Sequence, residues 1–322
     1  MNGDRPAAGH RGPQPFLVRG MVRTLLRQVA LLIAASVLVF ALTRLLPQTP
    51  MEAYLQHQGL PVTREAVEAL RHQWGLDGSW LHQYGHWAGG FVTGNWGVSL
   101  VSGEAVAPEL LSRVPASMTI GLGSLLLGAV AAYVLGVTAS TWGGVFDVFS
   151  RALTIIEQAV PGSMACVIVI NLVGVKWGWV SFYRLSGPGI LVAPTLVMAF
   201  LVAGPLSRVV AAHVDQLRVE PFIQAGLERG VSFTRLAWTD GWRPSVYGLV
   251  SAMISRMASV LGGAAVVEYV FAVPGMSYLL ISSIADRDYS MVQGYLMIMV
   301  IWMLIARGLL QIVLSALDPR AR

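Results

Sequence analysis

Long apolar runs broken by short charged segments dominate this chain, and the runs have the length of membrane-crossing helices. A helix rises 1.5 Å per residue, so roughly 20 residues cross a hydrocarbon core. Charge-free windows of that order occupy 28–43, 114–146 (membrane part 116–139), 158–175, 185–207 and 289–306. Residues 244–272 are apolar apart from Arg256 and Glu268. The pattern predicts an all-α membrane protein with six transmembrane helices. The first run follows Arg23 and Arg27 and lacks a small-residue cleavage site after it. It therefore reads as a retained first helix (21–46) and not as a signal peptide. Residues 1–20, polar and rich in Gly and Pro, are expected to be a disordered cytoplasmic tail.

The charges between the runs set an orientation. With the N-terminus inside, fourteen basic residues fall on the cytoplasmic side and seven outside, which places both termini in the cytoplasm. Residues 47–115 then form an extracytoplasmic segment, and 116–322 the core domain. Thr63, Glu65 and Glu68 open an amphipathic stretch there that reads as an N-capped helix. Trp80, Tyr84, Trp87 and Trp96 follow. They read as residues along the membrane interface, with a sugar- or peptide-binding surface as the alternative.

Composition agrees with the pattern. The chain of 322 residues is 55% hydrophobic and 12% charged, with mean hydropathy +0.63, whereas a soluble domain carries about 25% charged residues. The net charge of +5 reads as membrane orientation, with lipid and not nucleic acid as the partner. Lys176 is the sole lysine and sits in GVKWG, so no P-loop lysine exists and the chain is not a P-loop ATPase. HExxH and GxSxG are absent as well, which argues against these enzyme classes. His82 and His86, four apart, lack a nearby carboxylate or cysteine and read as interfacial residues, not metal ligands. Cys166, the single cysteine, reads as a packing residue.

Two kinds of position invite a functional reading. Glu157 and Arg256 are charges inside apolar runs, where charge is costly. Either they pair with protein neighbours, including each other, or Arg256 lines a water-filled path and meets a polar or anionic solute. The second kind is the charged island 208–243, which contains PFIQAGLERGVSFTRL. Phe222, Ile223 and Leu227 can form an apolar edge on a short helix, with Glu228 and Arg229 on its polar side. Ala225 and Gly226 would allow close approach of a partner backbone, and Gly230 permits a sharp turn. Such a helix docks in a groove of another protein; the alternative is a helix lying on the membrane.

At this island the chain resembles the membrane permeases of bacterial binding-protein-dependent ABC importers, in the dipeptide, oligopeptide and nickel class. Gln224, Ala225, Gly226 and Gly230 occupy the positions of that family's Glu-Ala-Ala-x3-Gly loop motif. The likeness continues through 262–294, around Glu268, Pro274-Gly275 and Arg287-Asp288-Tyr289, and in the closing Leu317-Asp318-Pro319-Arg320. It extends more loosely to 94–117. Departures are Gln224 in place of Glu, Tyr247-Gly248 where a Leu-Pro or Ile-Pro pair is usual, and 176–188, which matches no form of the class.

The resemblance implies a type I ABC importer permease fold in the bacterial plasma membrane. It implies a second related permease, two ATP-binding subunits that hold ATP and Mg, and an extracytoplasmic solute-binding protein. This chain then needs no cofactor, has no catalytic residue and is not an enzyme. Phe222, Ile223, Gln224, Ala225, Gly226, Leu227, Glu228 and Gly230 are the expected ATPase-coupling residues, and Arg256, Glu157 and Glu268 the expected path residues. Peptides are the expected cargo, with nickel or a metal–chelator complex as the alternative. An ion-coupled secondary transporter is less well supported, since no internal repeat is evident.

Overall fold

The computed structural model describes residues 15–44, 50–74, 77–182 and 187–317. Residues 1–14 of the expected 1–20 tail and the closing Asp318-Pro319-Arg320 lie outside the described residues, whereas residues 15–20 are helical, the start of the first helix. Thirteen α-helices are formed among those described, and no strand; Val98 and Ala105 make an isolated bridge.

Helix α1 (Pro15–Arg44) is followed by three short helices, α2 (Pro50–His57), α3 (Arg64–Gln73) and α4 (Trp80–Thr93). Then come α5 (Val106–Trp142), α6 (Gly144–Ala159), α7 (Gly162–Val169), α8 (Val192–Gln216), α9 (Pro221–Glu228) and α10 (Phe233–Thr239). The chain closes with α11 (Trp242–Val270), α12 (Met276–Ala285) and α13 (Tyr289–Leu317). Thr63 caps α3 as its sequence implies, accepting from the Ala66 amide.

Among the described residues four helices are long and apolar enough to cross a membrane, and up to six if each of two bent pairs counts as one span. The expected third span, 158–175, is a corner: α6 and the helix starting at Gly162 meet at 104°. Pro161 explains the break, because proline disfavours a helical conformation at the residue before it. Val160 is accordingly extended, at φ −100° and ψ 114°. The expected fifth span bends by 70° between Trp242–Met257 and Gly262–Val270.

Helices α5 and α8 run parallel and form the spine. On α5, Ser124, Gly128, Ala132, Gly136 and Ser140 recur every fourth residue, a small-residue stripe that lets two helix backbones approach closely. A Cβ at Gly128 would lie 2.9 Å from the Ala199 carbonyl oxygen, and one at Gly136 would lie 2.6 Å from that of Ser207. Helix α6 closes on the same spine, since a Cβ at Gly204 would lie 2.9 Å from the Thr154 backbone. The Ser150 and Ser207 hydroxyls bond at 2.8 Å in that buried seam. Gly136→Leu should therefore overpack the spine and destabilise the chain by about 1–3 kcal/mol. Its melting temperature in detergent should fall clearly. Gly162→Ala, whose Cβ would meet Leu201 at an ordinary 3.6 Å, should leave melting unchanged.

The bundle has two dissimilar ends. One gathers the C-termini of α5 and α8 with α9, α10 and the start of α11. The other gathers α2, α4, the loop 94–105, α12 and the start of α13. There the buried Asp288 accepts from the Leu100 and Met291 amides, both at 3.2 Å, and from the Ser99 hydroxyl. One carboxylate thus caps α13 and clamps the turn that leads into α5.

The aromatic residues of the 47–115 segment do more than lie separately along an interface. Phe40 of α1, Tyr84, Trp87, Phe91 and Trp96 form a chain of ring contacts with centroids 4.5–6.0 Å apart. Offset and edge-on ring pairs of this kind are favourable, and here they fasten α4 to α1 and to the loop after it.

Candidate functional site

The island folds into a helix hairpin. Pro221 starts α9 at a position where its missing N–H costs nothing, and Glu220 before it is extended. Gly230 stops the helix at φ +81°. Its amide bonds to the Leu227 carbonyl at 2.9 Å and the Val231 amide bonds to that of Gly226 at 3.1 Å, a Schellman ending. Ser232 then caps α10 by accepting from the Arg235 amide.

Ile223 and Gly226 face their own chain. Ile223 is fully buried with Leu217 and Leu236, and the half-buried Leu227, Val231 and Phe233 pack around them. A Cβ at Gly226 would lie 2.7 Å from the Leu236 side chain, so the space the sequence reading offered to a partner backbone is filled by α10. Phe222 points outward at 44% exposure, and Gln224, Ala225, Glu228, Arg229 and Gly230 are exposed beside it.

The hairpin is tied to the spine. The Arg218 guanidinium stacks 3.8 Å from the Phe233 ring centroid and donates to the Ser140 carbonyl of α5 at 2.9 Å. The Ser140 hydroxyl donates to Asp215 of α8 at 2.5 Å, and Trp238 of α10 packs edge-on against Tyr133 of α5. Gln224 donates through its side-chain nitrogen to the Arg218 carbonyl. A carboxylate could not make that bond, which gives a physical account of Gln at this position.

At the opposite end Glu268 organises a second structure. It is fully buried, and its carboxylate accepts from the Ser277 and Tyr278 amides at 2.9 and 3.0 Å. The Met276 amide bonds to the Ser117 hydroxyl of α5 at 2.8 Å. Three amides at the start of α12, which have no partner within their own helix, are thus satisfied from α11 and α5. Gly275 is required here because a Cβ would collide with the Glu268 carboxylate.

The sequence matches two family descriptions end to end. "Binding-prot-dependent transport system membrane comp, N-term" covers residues 17–122. "Binding-protein-dependent transport system inner membrane component" covers 124–322. The chain belongs to this family of inner-membrane transport components. Similar proteins include the "Glutathione transport system permease protein GsiC" of Escherichia coli strain K12, 26% identical over 303 residues. That match spans 94% of this chain and 98% of the relative. The protein of the same name from Escherichia coli strain 536 matches equally, and that of Shigella boydii serotype 4 is 25% identical over the same coverage. The chain is therefore an ABC importer permease of the peptide and nickel class, a transport subunit of the bacterial inner membrane and not an enzyme.

Within this permease the structure brings two expected path residues together. Arg256 of α11 and Glu157 of α6 form an ion pair at 3.9 Å, with side chains 38% and 18% exposed. Pairing makes the charge tolerable between apolar helices. Glu268 stands apart from them, enclosed by α5, α11 and α12.

Sequence reasoning passed over Ser117 and Asp147, and marked Asp288 only as part of a motif. Asp147 pairs with Arg208 of α8 at 2.7 Å and Arg151 at 2.8 Å, joining α6 to α8. The i, i+4 spacing of Asp147 and Arg151 was a legible signal; the partner 61 residues away was not. The family departure at 247–248 also has a counterpart in packing. A Cβ at Gly248 would collide with the His213 ring, whose Nδ1 lies 2.9 Å from the Val209 carbonyl. In the unmatched segment 176–188, Phe182 is buried edge-on against Phe271, and 183–186 lie outside the described residues.

Proposed function

We propose that this permease forms half of the translocation path of an ATP-driven peptide importer. Both termini and the α9–α10 hairpin face the cytoplasm, where one of two ATP-binding subunits takes the exposed face of α9. A second related permease supplies the other half of the path, and an extracytoplasmic binding protein delivers cargo at the α4 end. The coupling residues then divide by role. Phe222, Gln224, Ala225 and Glu228 meet the ATP-binding subunit, while Ile223, Gly226, Leu227 and Gly230 hold the helix in place to be pushed. Arg256 and Glu157 bridge α11 and α6 beside the path, and Glu268 positions α12.

The observation that carries this reading is the anchoring of the hairpin. A helix with an exposed aromatic residue is fixed through Arg218, Ser140 and Trp238 to the two helices that form the spine. Displacing α9 must therefore displace α5 and α8 with it. ATP can shift the outward–inward equilibrium only by binding more tightly to one state, and a rigid attachment is what passes that difference to the membrane.

Peptide cargo is supported by relatives whose printed name is glutathione transport. A bare nickel ion has less support, since no group of three His, Cys, Asp or Glu converges among the described residues.

Proteoliposomes holding this permease, its neighbour-encoded second permease and ATP-binding subunits test the reading. With the binding protein outside, labelled dipeptide or glutathione should accumulate only when ATP and Mg are inside. Uptake driven by an ion gradient without ATP would contradict it, and ATP-driven uptake of nickel alone would reassign the cargo.

A further inference from the structure

The α4 end carries a cleft that the function above does not use. It has a volume of about 790 Å³ and lies between α3, α4, the loop after α4 and the first turn of α13. Small-molecule sites span roughly 300–1,000 Å³. Three indoles, Trp74, Trp87 and Trp96, share its lining with four side-chain amides, Gln73, Gln83, Asn95 and Gln293. Among the described residues no Asp, Glu, Lys or Arg lines it, and His86 is the one lining side chain able to carry positive charge.

Two glycines of α4 sharpen the picture. Glycine inside a helix costs stability relative to alanine, so a helical glycine needs a reason. For Gly90 the reason is internal, since a Cβ would lie 2.7 Å from the Asn95 carbonyl oxygen. Gly85 and Gly89 also line the cleft, yet a Cβ at either would meet nothing within 4 Å. The packing of the described chain does not require them, and they leave the cleft wider than alanine would.

We propose that this cleft is a holding site for short peptides with uncharged side chains, on the outer face and ahead of the translocation path. Side-chain amides carry both donors and acceptors, which match the N–H and C=O groups of a peptide backbone. Indole faces cover apolar side chains at the same time. An anionic headgroup or a metal cation would find no fixed counter-charge among these residues, whereas a short peptide with uncharged side chains is a zwitterion without net charge. The inference rests on the proposed peptide cargo and orientation.

The test uses the assembled importer in nanodiscs, with labelled trialanine as probe and Gly89→Leu as the variant that adds bulk to the cleft where a Cβ meets nothing within 4 Å. Wild type should bind trialanine saturably. Gly89→Leu should bind it about tenfold more weakly, melt no lower, and show a KM for uptake raised by a similar factor with kcat held. Gln293→Leu, on a different helix, should weaken binding in the same direction. Binding and KM unchanged in both variants would overturn the proposal, as would absence of saturable binding to wild type. Quenching of the indoles by spin-labelled phosphatidylglycerol that trialanine cannot relieve would also overturn it, marking the cleft as a lipid site. If uptake is ATP-driven and peptide-specific but indifferent to Gly89→Leu, the cleft alone fails; if uptake needs no ATP, the reading beneath it fails.

Discussion

Phe222→Asp combined with Glu228→Lys should reduce ATP-driven uptake about a hundredfold while leaving the fold intact. Both side chains are exposed on α9, so neither change disturbs the core made by Leu217, Ile223 and Leu236. Buried aromatic anchors dominate the energetics of docking surfaces, and truncating a single one can cost about 2–4 kcal/mol. A hundredfold loss corresponds to about 2.8 kcal/mol. Placing a carboxylate where the ring should enter a groove adds an unpaired charge to the loss. The measurement is uptake in proteoliposomes beside the melting temperature of the purified chain, with uptake falling and melting unchanged. Ile223→Asp would be less informative, because a charge at that fully buried position would break the hairpin itself.

Replacing Glu268 separates a structural carboxylate from one that meets the solute. Glu268→Leu removes the acceptor from the Ser277 and Tyr278 amides, which lie 2.9 and 3.0 Å away. Each buried amide left without a partner costs about 1–3 kcal/mol, so the pair costs about 2–6 kcal/mol. The start of α12 should loosen from α5, with a large drop in melting temperature and lost uptake. Glu268→Gln keeps one acceptor oxygen and should melt between wild type and the leucine variant. A residue acting only on the solute would behave differently, with uptake impaired in both variants and melting unchanged in either.

What the sequence revealed and what it withheld follow from the range of the forces involved. Helices α5, α8 and α13 were legible because their long charge-free runs need only local information. The corner at Val160–Pro161 was accessible to the same reasoning but hidden by an apolar run that continues through the proline. Hydropathy does not register a turn. Tyr84, Trp87 and Phe91 carry helical spacing, so a shared ring face could be inferred, but Phe40 as its partner could not.

Contacts across the chain were the least legible. Met276 and Ser117 are 159 residues apart, and Asp288 and Ser99 are 189 apart. The sequence marked Glu268 and Pro274-Gly275 as a motif without giving the reason, which is that the carboxylate sits where a side chain at 275 would be. In α9 the residue types pointed to a docking helix, but Phe222 and Ile223 are adjacent apolar residues some 100° apart on the helix. Only the position of Leu236 decides that Ile223 turns inward and Phe222 outward.

Crosslinking reads out the proposed contact between α9 and an ATP-binding subunit directly. Cys166 is the one native thiol and is buried, so Ala225→Cys introduces a single accessible reactive group. Treating inside-out membrane vesicles with a short thiol-reactive photo-crosslinker should join position 225 to a subunit carrying a P-loop, with a yield that changes when ATP is added. Crosslinks that form only to lipid, or to proteins without a nucleotide site, would contradict the account.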